Sequence, residues 1–264
     1  MYNFLTKLLN FIESSTDKTK SEIIISEFIL SNIEKIPEMT IYELADACHT
    51  SPATITRFCK RFDNISYKEL KEYARTFIEF NYNEVQYEQL EENFKRELLD
   101  LYFNELEKSL VETRDLISSD SLIRTVHKIS RANKVAFFGV TFSHIVSRNA
   151  LFKFTRLGKY ATNYSNHDNQ MNEAKNLTSR DLAIVISFSG ETNFIVQLTK
   201  LLNSRNIPII AVTGNKQSLL AQSAQEVLIV SDRKLTQFKS PIVEEINLLS
   251  VINSIYLAYS LLIE

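Results

Sequence analysis

Apolar residues recur at helical spacing through the first part of the chain and gather into short continuous runs in the second half. From Ser21 to Ile33 they stand at Ile24, Ile25, Phe28, Ile29 and Ile33, which predicts a helix that ends before Pro37. Thr40-Ile-Tyr-Glu43 has the form of a capping box, with the Thr hydroxyl on the third helical amide and the Glu reaching back. It opens a short helix over about Ile41 to Cys48. After a tight turn, Ser51-Pro52 supplies an N-cap serine and a proline at the first helical position. In that third helix Ile55, Phe58, Cys59 and Phe62 follow the i, i+3, i+4, i+7 pattern of a core-facing stripe. The opposite face carries Ser51, Ala53, Thr54, Thr56, Arg57, Lys60 and Arg61. Further on, Leu98, Leu101, Leu106, Leu110, Thr113 and Ile117 mark a long amphipathic helix that covers a sheet or a partner subunit.

From residue 135 the pattern alternates. Strands are predicted at Val135–Phe138, Tyr160–Asn163, Leu182–Phe188, Ile207–Val212 and Val227–Val230. Between them lie helices at Ser143–Arg156, Asn169–Leu177, Asn193–Asn203 and Ser218–Gln222, and Ile246–Leu262 closes the series. Alternating β and α elements with wholly apolar strands imply a parallel sheet covered on both faces. Ligands of such sheets bind beyond the carboxyl ends of the strands, near the point where strand order reverses.

Composition divides the chain the same way. All four glycines, Gly139, Gly158, Gly190 and Gly214, fall in the second half, and a glycine-free first half fits an all-α bundle. A length of 264 residues with 44% hydrophobic content allows two real cores. The net charge of −2 excludes a globally basic nucleic-acid coat but leaves a local basic face possible. Cys48 and Cys59 lack Cys-x-x-Cys spacing, and the histidines show no paired spacing, so neither a disulfide scaffold, a metal nor a cofactor is expected. No apolar run approaches bilayer length, and Met1–Ile12, interrupted by Lys7, reads as an amphipathic helix and not a signal peptide. A cytoplasmic protein with no membrane partner is expected. The acidic stretch from about Glu79 to Asp100 lacks Pro and Gly and reads as a helical connector.

Two segments carry chemistry. Two helices joined by a tight turn, the second with a small, polar start and a basic end, describe a helix-turn-helix. Small residues at its start permit close approach, Thr and Arg can read base edges, and Lys60 and Arg61 can reach phosphates. Lys68, Lys71 and Arg75 continue the basic residues, diluted by Glu69 and Glu72. A solvated helix of a small bundle would show a similar face. The second segment is Ser187-Phe188-Ser189-Gly190-Glu191-Thr192, between a predicted strand and a predicted helix. Unpaired N–H groups at the helix start favour an anion there, and Ser187, Ser189 and Thr192 add neutral donors. An ordinary strand-to-helix turn would need only one of these hydroxyls.

Both segments resemble known families. Ser187-x-Ser189-Gly190-Glu191-Thr192 resembles the phosphosugar-binding signature of sugar isomerase (SIS) domains, which implies a flavodoxin-like α/β sandwich with a five-stranded parallel sheet. Thr40 to Phe62, with Ser51-x-Ala53-Thr54-Ile55-x-Arg57-Phe58-Cys59-Lys60 at its core, resembles the helix-turn-helix of RpiR-type transcriptional regulators, and Tyr67-x-Glu69-Leu70-Lys71 matches the segment after it. That family couples the two domains in this order. The resemblance implies a two-domain chain: a DNA-binding bundle over 1–78, a helical linker over 79–100 and a SIS domain over 101–264.

It further implies a regulator of sugar metabolism genes, not an enzyme, acting as a homodimer or homotetramer on a double-stranded operator. Ser51, Ala53, Thr54, Thr56, Arg57, Lys60 and Arg61 would meet DNA, and Ser143, Ser187, Ser189, Gly190 and Thr192 would hold a phosphosugar effector. The alternative is a phosphosugar isomerase whose N-terminal bundle serves oligomerisation, for which Glu191 or Glu244-Glu245 would have to supply a base. Three departures stand out. His49 replaces a usual turn glycine and must accept a positive φ. Asp63-Asn64 replaces glycines after the recognition helix, with Asn64 as a left-handed cap. In the first SIS loop, Gly139-Val140-Thr141-Phe142-Ser143, Thr141 replaces the second glycine. His144, just after, is expected to be exposed.

Overall fold

The computed structural model describes residues 8, 9, 12, 20–63, 65–81, 94–233 and 242–263. The chain forms two compact units, Met1–Gln86 and Tyr87–Glu264. In the first unit, α1 (Ser21–Ser31), α2 (Ile41–Ala47), α3 (Pro52–Asp63) and α4 (Tyr67–Asn81) pack around Ile25, Ile29, Ile36, Leu44, Ile55, Phe58, Cys59 and Leu70. Each such fully buried aliphatic or aromatic side chain contributes about 1.5–3 kcal/mol.

The capping box closes as the sequence predicts. Thr40 Oγ1 accepts the Glu43 N–H at 3.2 Å, and the Glu43 carboxylate accepts the Thr40 N–H at 2.6 Å. A second box, absent from the sequence-based expectations, opens α4: Ser66 Oγ accepts the Glu69 N–H at 3.2 Å and the Glu69 carboxylate accepts the Ser66 N–H at 2.7 Å. His49 takes φ 50°, and the reason is visible in the backbone. Its N–H reaches Asp46 O at 2.9 Å and the Thr50 N–H reaches Ala45 O at 2.8 Å, the two bonds of a Schellman turn that end α2 and aim the chain into α3. The Asn64 cap, the Phe62 side chain, the connector over 82–93 and most of the Met1–Ile12 helix lie outside the described residues.

The second unit starts with α5 (Phe94–Leu116) and α6 (Ser119–Arg131). Helix α6 is missing from the elements expected above, although Leu122, Val126 and Ile129 carry a helical stripe and Ser118 Oγ caps the Ser121 N–H at 3.1 Å. The α/β alternation follows: β1 (Val135–Phe138), α7 (Phe142–Arg156), β2 (Ala161–Asn163), α8 (His167–Asn176), β3 (Leu182–Ile186), α9 (Asn193–Ser204), β4 (Ile209–Thr213), α10 (Leu219–Ser223), β5 (Glu226–Ile229) and α11 (Ile242–Ile263). All strand pairs are parallel and the order is β2-β1-β3-β4-β5. Side-chain alternation splits the sheet cleanly. Phe137, Ile184, Ile186, Ile210 and Val212 pack with residues of α6, α7 and α11, while Phe138, Ala183, Val185 and Ala211 pack with residues of α8, α9 and α10.

The last helix corrects one expectation. Over Ile242–Leu262, α11 is long and apolar enough to cross a membrane by length and composition. Its Val251, Ile252, Ile255 and Tyr259 are instead buried in the core on one face of the sheet. A helix that closes a core is apolar for that reason.

Candidate effector site and nucleic-acid interface

Strand order reverses between β1 and β3. From β1 the chain crosses to β2 on one side, and from β3 it continues to β4 and β5 on the other. Loops leaving the carboxyl ends of β1 and β3 therefore border the crevice where doubly wound sheets take ligands. Ser187, Ser189, Gly190 and Thr192 share the β3 loop, and Ser143 lies in the first turn of the helix after β1.

The β3 loop is held by its own polar groups. Ser187 is buried and its Oγ accepts the Gly190 N–H at 3.2 Å, while the exposed Ser189 accepts the Glu191 N–H at 3.3 Å. Gly190 stands at φ 65°, and a Cβ there would lie 2.3 Å from Ser218 Oγ. Phe188 O accepts the Gly214 N–H at 2.9 Å and the Thr213 hydroxyl at 3.0 Å, which pins the loop to the one after β4. Thr192 occupies the N-cap of α9 without a side-chain cap bond. The exposed Ser189 and Thr192 hydroxyls thus stand beside an α-helix start that no N-cap side chain covers, an arrangement that suits a phosphate.

The β1 loop is equally constrained. The Gln170 side-chain amide accepts the Gly139 N–H at 3.3 Å and donates to Gly139 O at 3.0 Å. A Cβ on Gly139 would fall 2.5 Å from Ser143 O, so the loop turns tightly onto α7. Thr141 takes φ 52° and ψ −124°, a costly state for a β-branched residue, and its hydroxyl donates to Val140 O at 2.8 Å in place of capping α7.

His144 contradicts the sequence expectation. It is 8% exposed, with Nδ1 buried and unpartnered. The helix face that carries it also carries Ser143, Val146, Ser147 and Ala150, all turned into the unit. Burial, reinforced by Arg148, pushes the imidazole pKa down, which favours the neutral ring. Another pair has no counterpart in the sequence pattern: His167, opening α8, stacks on Phe194 in the first turn of α9, with ring centroids 4.0 Å apart at 12°. Of the acids weighed as bases, Glu191 is exposed, Glu244 is buried, and burial pushes the Glu245 carboxyl pKa up. Among the described residues no cluster of three or more His, Cys, Asp or Glu forms that could hold a metal ion.

In the first unit, α3 presents Ser51, Ala53, Thr56, Arg57, Lys60 and Arg61 exposed and Thr54 half-buried. Ser51 Oγ caps the Thr54 N–H at 3.2 Å, Thr54 Oγ1 accepts from Arg57 at 3.2 Å, and Thr56 Oγ1 donates to Pro52 O at 3.0 Å. Arg61 is engaged with Glu22 of α1 at 2.6 Å, a pairing the sequence pattern did not foresee. Downstream, Arg75 is tied to Glu72 at 2.9 Å, whereas Lys68 is exposed.

Known proteins match along the same division. The family model of the helix-turn-helix domain, rpiR family, matches residues 6–74, and that of the SIS domain matches residues 128–264. An uncharacterised HTH-type transcriptional regulator of Caldanaerobacter subterraneus subsp. tengcongensis is 29% identical over 245 residues, 93% of this chain and 87% of that protein. The HTH-type transcriptional regulator HexR of Escherichia coli K12 is 24% identical over 259 residues, 98% of this chain and 88% of HexR. Among solved structures, the Vibrio vulnificus NanR protein complexed with ManNAc-6P superposes with TM-score 0.58 at 22% identity, covering 97% of this chain and 90% of that one. The sugar isomerase domain of an RpiR transcription factor from Sphaerobacter thermophilus gives TM-score 0.55 at 23% identity over 60% of this chain and 87% of its own.

Proposed function

We propose, from the premise that this chain belongs to the SIS-domain family and carries an rpiR-family helix-turn-helix ahead of that domain, that it is a cytoplasmic, sequence-specific transcription regulator of sugar metabolism genes whose DNA affinity is set by a bound phosphosugar. The observation that carries this reading is the coexistence of two open polar surfaces on one chain. One is the α3 face from Ser51 to Arg61, and the other is the exposed part of the β3 loop, Ser189 and Thr192, at an uncapped helix start on the sheet's switch point. HexR and NanR, which match nearly the whole of this chain, are a transcriptional regulator and a protein solved with ManNAc-6P.

Ser51, Ala53, Thr54, Thr56 and Arg57 would read base edges, and Lys60 with Arg61 would reach the backbone. Ser187, Ser189, Gly190 and Thr192, with Ser143 from the first turn of α7, would hold the sugar phosphate. The working divisions are 1–78 for DNA binding, 79–100 for the connector and 101–264 for the effector domain. A homodimer, or a pair of them, would match a partly palindromic operator. Effector control needs a differential affinity of only about 1–3 kcal/mol between the two states.

The test is a gel mobility shift on DNA upstream of the gene, with and without a panel of phosphosugars. A specific shift altered by one sugar is the expected result, with Arg57→Ala abolishing the shift and Ser189→Ala abolishing only the response to the sugar. No specific shift on any fragment, together with turnover of a panel sugar that survives Arg57→Ala, would replace the regulator with an isomerase.

A further inference from the structure

Beside α3 the first unit has an open groove of about 690 Å³, lined by Lys20, Ser21, Glu22, Thr54, Arg57 and Arg61 with Phe58 beneath. Among its described lining residues three are cationic and one is a carboxylate. That carboxylate, Glu22, holds Arg61 at 2.6 Å, across 39 residues of sequence. The Arg61 side chain keeps 66% of its exposure and Glu22 keeps 26%, so the pair sits at the groove's mouth with the guanidinium still open to a second acceptor. Arg57 is exposed and turned toward Thr54, and Lys20 is exposed at the N-cap position of α1, where it gives no side-chain cap bond. The groove therefore combines the positive end of an 11-residue helix, the Arg61 guanidinium and the Lys20 ammonium, with Arg57, assigned above to base edges, at its border. This is the chemistry of a phosphate diester seat.

We infer that this groove docks one backbone phosphate of the bound DNA between the start of α1 and the face of α3, and that Glu22 competes with that phosphate for Arg61. The inference rests on the DNA-binding reading above and extends it to α1, which the helix-turn-helix pattern does not include. Glu22 is then a discriminating residue. On non-operator DNA, held by phosphate contacts alone, Arg61 stays neutralised by Glu22 and contributes no counterion release. On the operator, contacts made by the rest of α3 fix the backbone close enough for the phosphate to share or displace Glu22. The carboxylate thus weakens binding to the wrong sequence more than binding to the right one, which is how repulsive elements create specificity.

The salt dependence of DNA affinity reads this directly, because each neutralised phosphate adds a slope of about −0.9 to log K against log salt. The full-length protein is titrated with operator and non-operator duplexes at several salt concentrations. Glu22→Gln is expected to steepen the non-operator slope by about one such increment, to tighten that binding by up to about eightfold near 0.1 M salt, and to lower the operator-to-non-operator ratio. Lys20→Gln is expected to make the operator slope shallower by about one increment. Arg61→Gln should erase the gain from Glu22→Gln in the double variant. Unchanged far-UV circular dichroism and melting of each variant separate these effects from unfolding. Non-operator slope and affinity of Glu22→Gln equal to wild type, or an operator slope unmoved by Lys20→Gln, overturns the inference while leaving the regulator in place. A wild-type protein that binds no DNA specifically removes the regulator reading, and the phosphate seat with it.

Discussion

Replacing Gly190 by alanine tests the architecture of the effector loop at its tightest point. The residue stands at φ 65°, and a left-handed conformation costs a residue with a Cβ about 1–2 kcal/mol. The added Cβ would also meet Ser218 Oγ at 2.3 Å and Ser218 Cβ at 2.6 Å, so Ser218 must move. That side chain is fully buried. Its Oγ donates to Asn215 O at 2.7 Å and accepts the Ala221 N–H at 3.2 Å as the cap of α10. Losing a serine cap costs about 1 kcal/mol, and a buried hydroxyl left without partners costs about 1–3 kcal/mol. The expected loss is therefore about 3–6 kcal/mol, a large part of the 5–15 kcal/mol typical of a folded domain.

The chain has no Trp, so urea unfolding is best followed by far-UV circular dichroism. Ser218→Gly supplies the control, since it removes both colliding atoms. The cost of Gly190→Ala in that background should fall by at least about 1 kcal/mol, a coupling that distant, independent sites do not show. Superimposable urea curves for Gly190→Ala and wild type would refute the reasoning, and so would a cost that is the same with and without the Ser218 side chain.

Other expectations follow from the same geometry. Thr141→Gly should release part of the roughly 1–3 kcal/mol stored at φ 52°, offset by about 0.5–1 kcal/mol of unfolded-state entropy, and so leave the second unit as stable or more stable in a thermal melt; a clear loss of stability would show that the threonine side chain stabilises the loop. In the first unit, burial pushes the Cys48 thiol pKa up to about 11 and that of Cys59 up to about 12, and Tyr67 rises to about 12 from burial first and neighbouring charges second. Unfolded thiols ionise near about 8.5, so their contribution to stability is full below that pH and is lost as pH rises toward 11–12. The urea midpoint of that unit should fall above about pH 9, with thiol labelling slow until it unfolds; a midpoint flat from about pH 8 to pH 10 would contradict the assigned burial.

Most of the fold could be read from the chain because its signals are local. Runs such as Leu182–Ile186 and Ile209–Thr213 are apolar at nearly every position, as strands covered on both faces must be, and Gly139 and Gly214 follow β1 and β4 directly. Thr40-x-x-Glu43 announced α2, and Ser66-x-x-Glu69 announced α4 in the same terms without being read. Helix α6 is legible in the same way, with Ser118 as its cap and Leu122, Val126 and Ile129 as its stripe; what a hydrophobic count leaves blank is the buried Ser121 and Thr125 beside that stripe. Polar residues on a buried face defeat a pattern built on hydrophobic period.

The same limit explains the candidate sites. The β3 loop was legible because its hydroxyls, glycine and helix start lie within six consecutive residues, and chain order alone places them together. His144 was misplaced because Ser143, His144 and Ser147 are all polar, yet the face they occupy is the one that α7 turns inward. Only the sheet beneath decides that. The pairing of Arg61 with Glu22 is a tertiary fact of the same kind, made between α3 and a helix 39 residues earlier. A charge read from α3 alone is a free cation; the folded unit holds it beside a carboxylate that any incoming phosphate must contend with. Local pattern therefore picks out which residues share the open face of α3, whereas the strength of each cation on that face depends on contacts between helices.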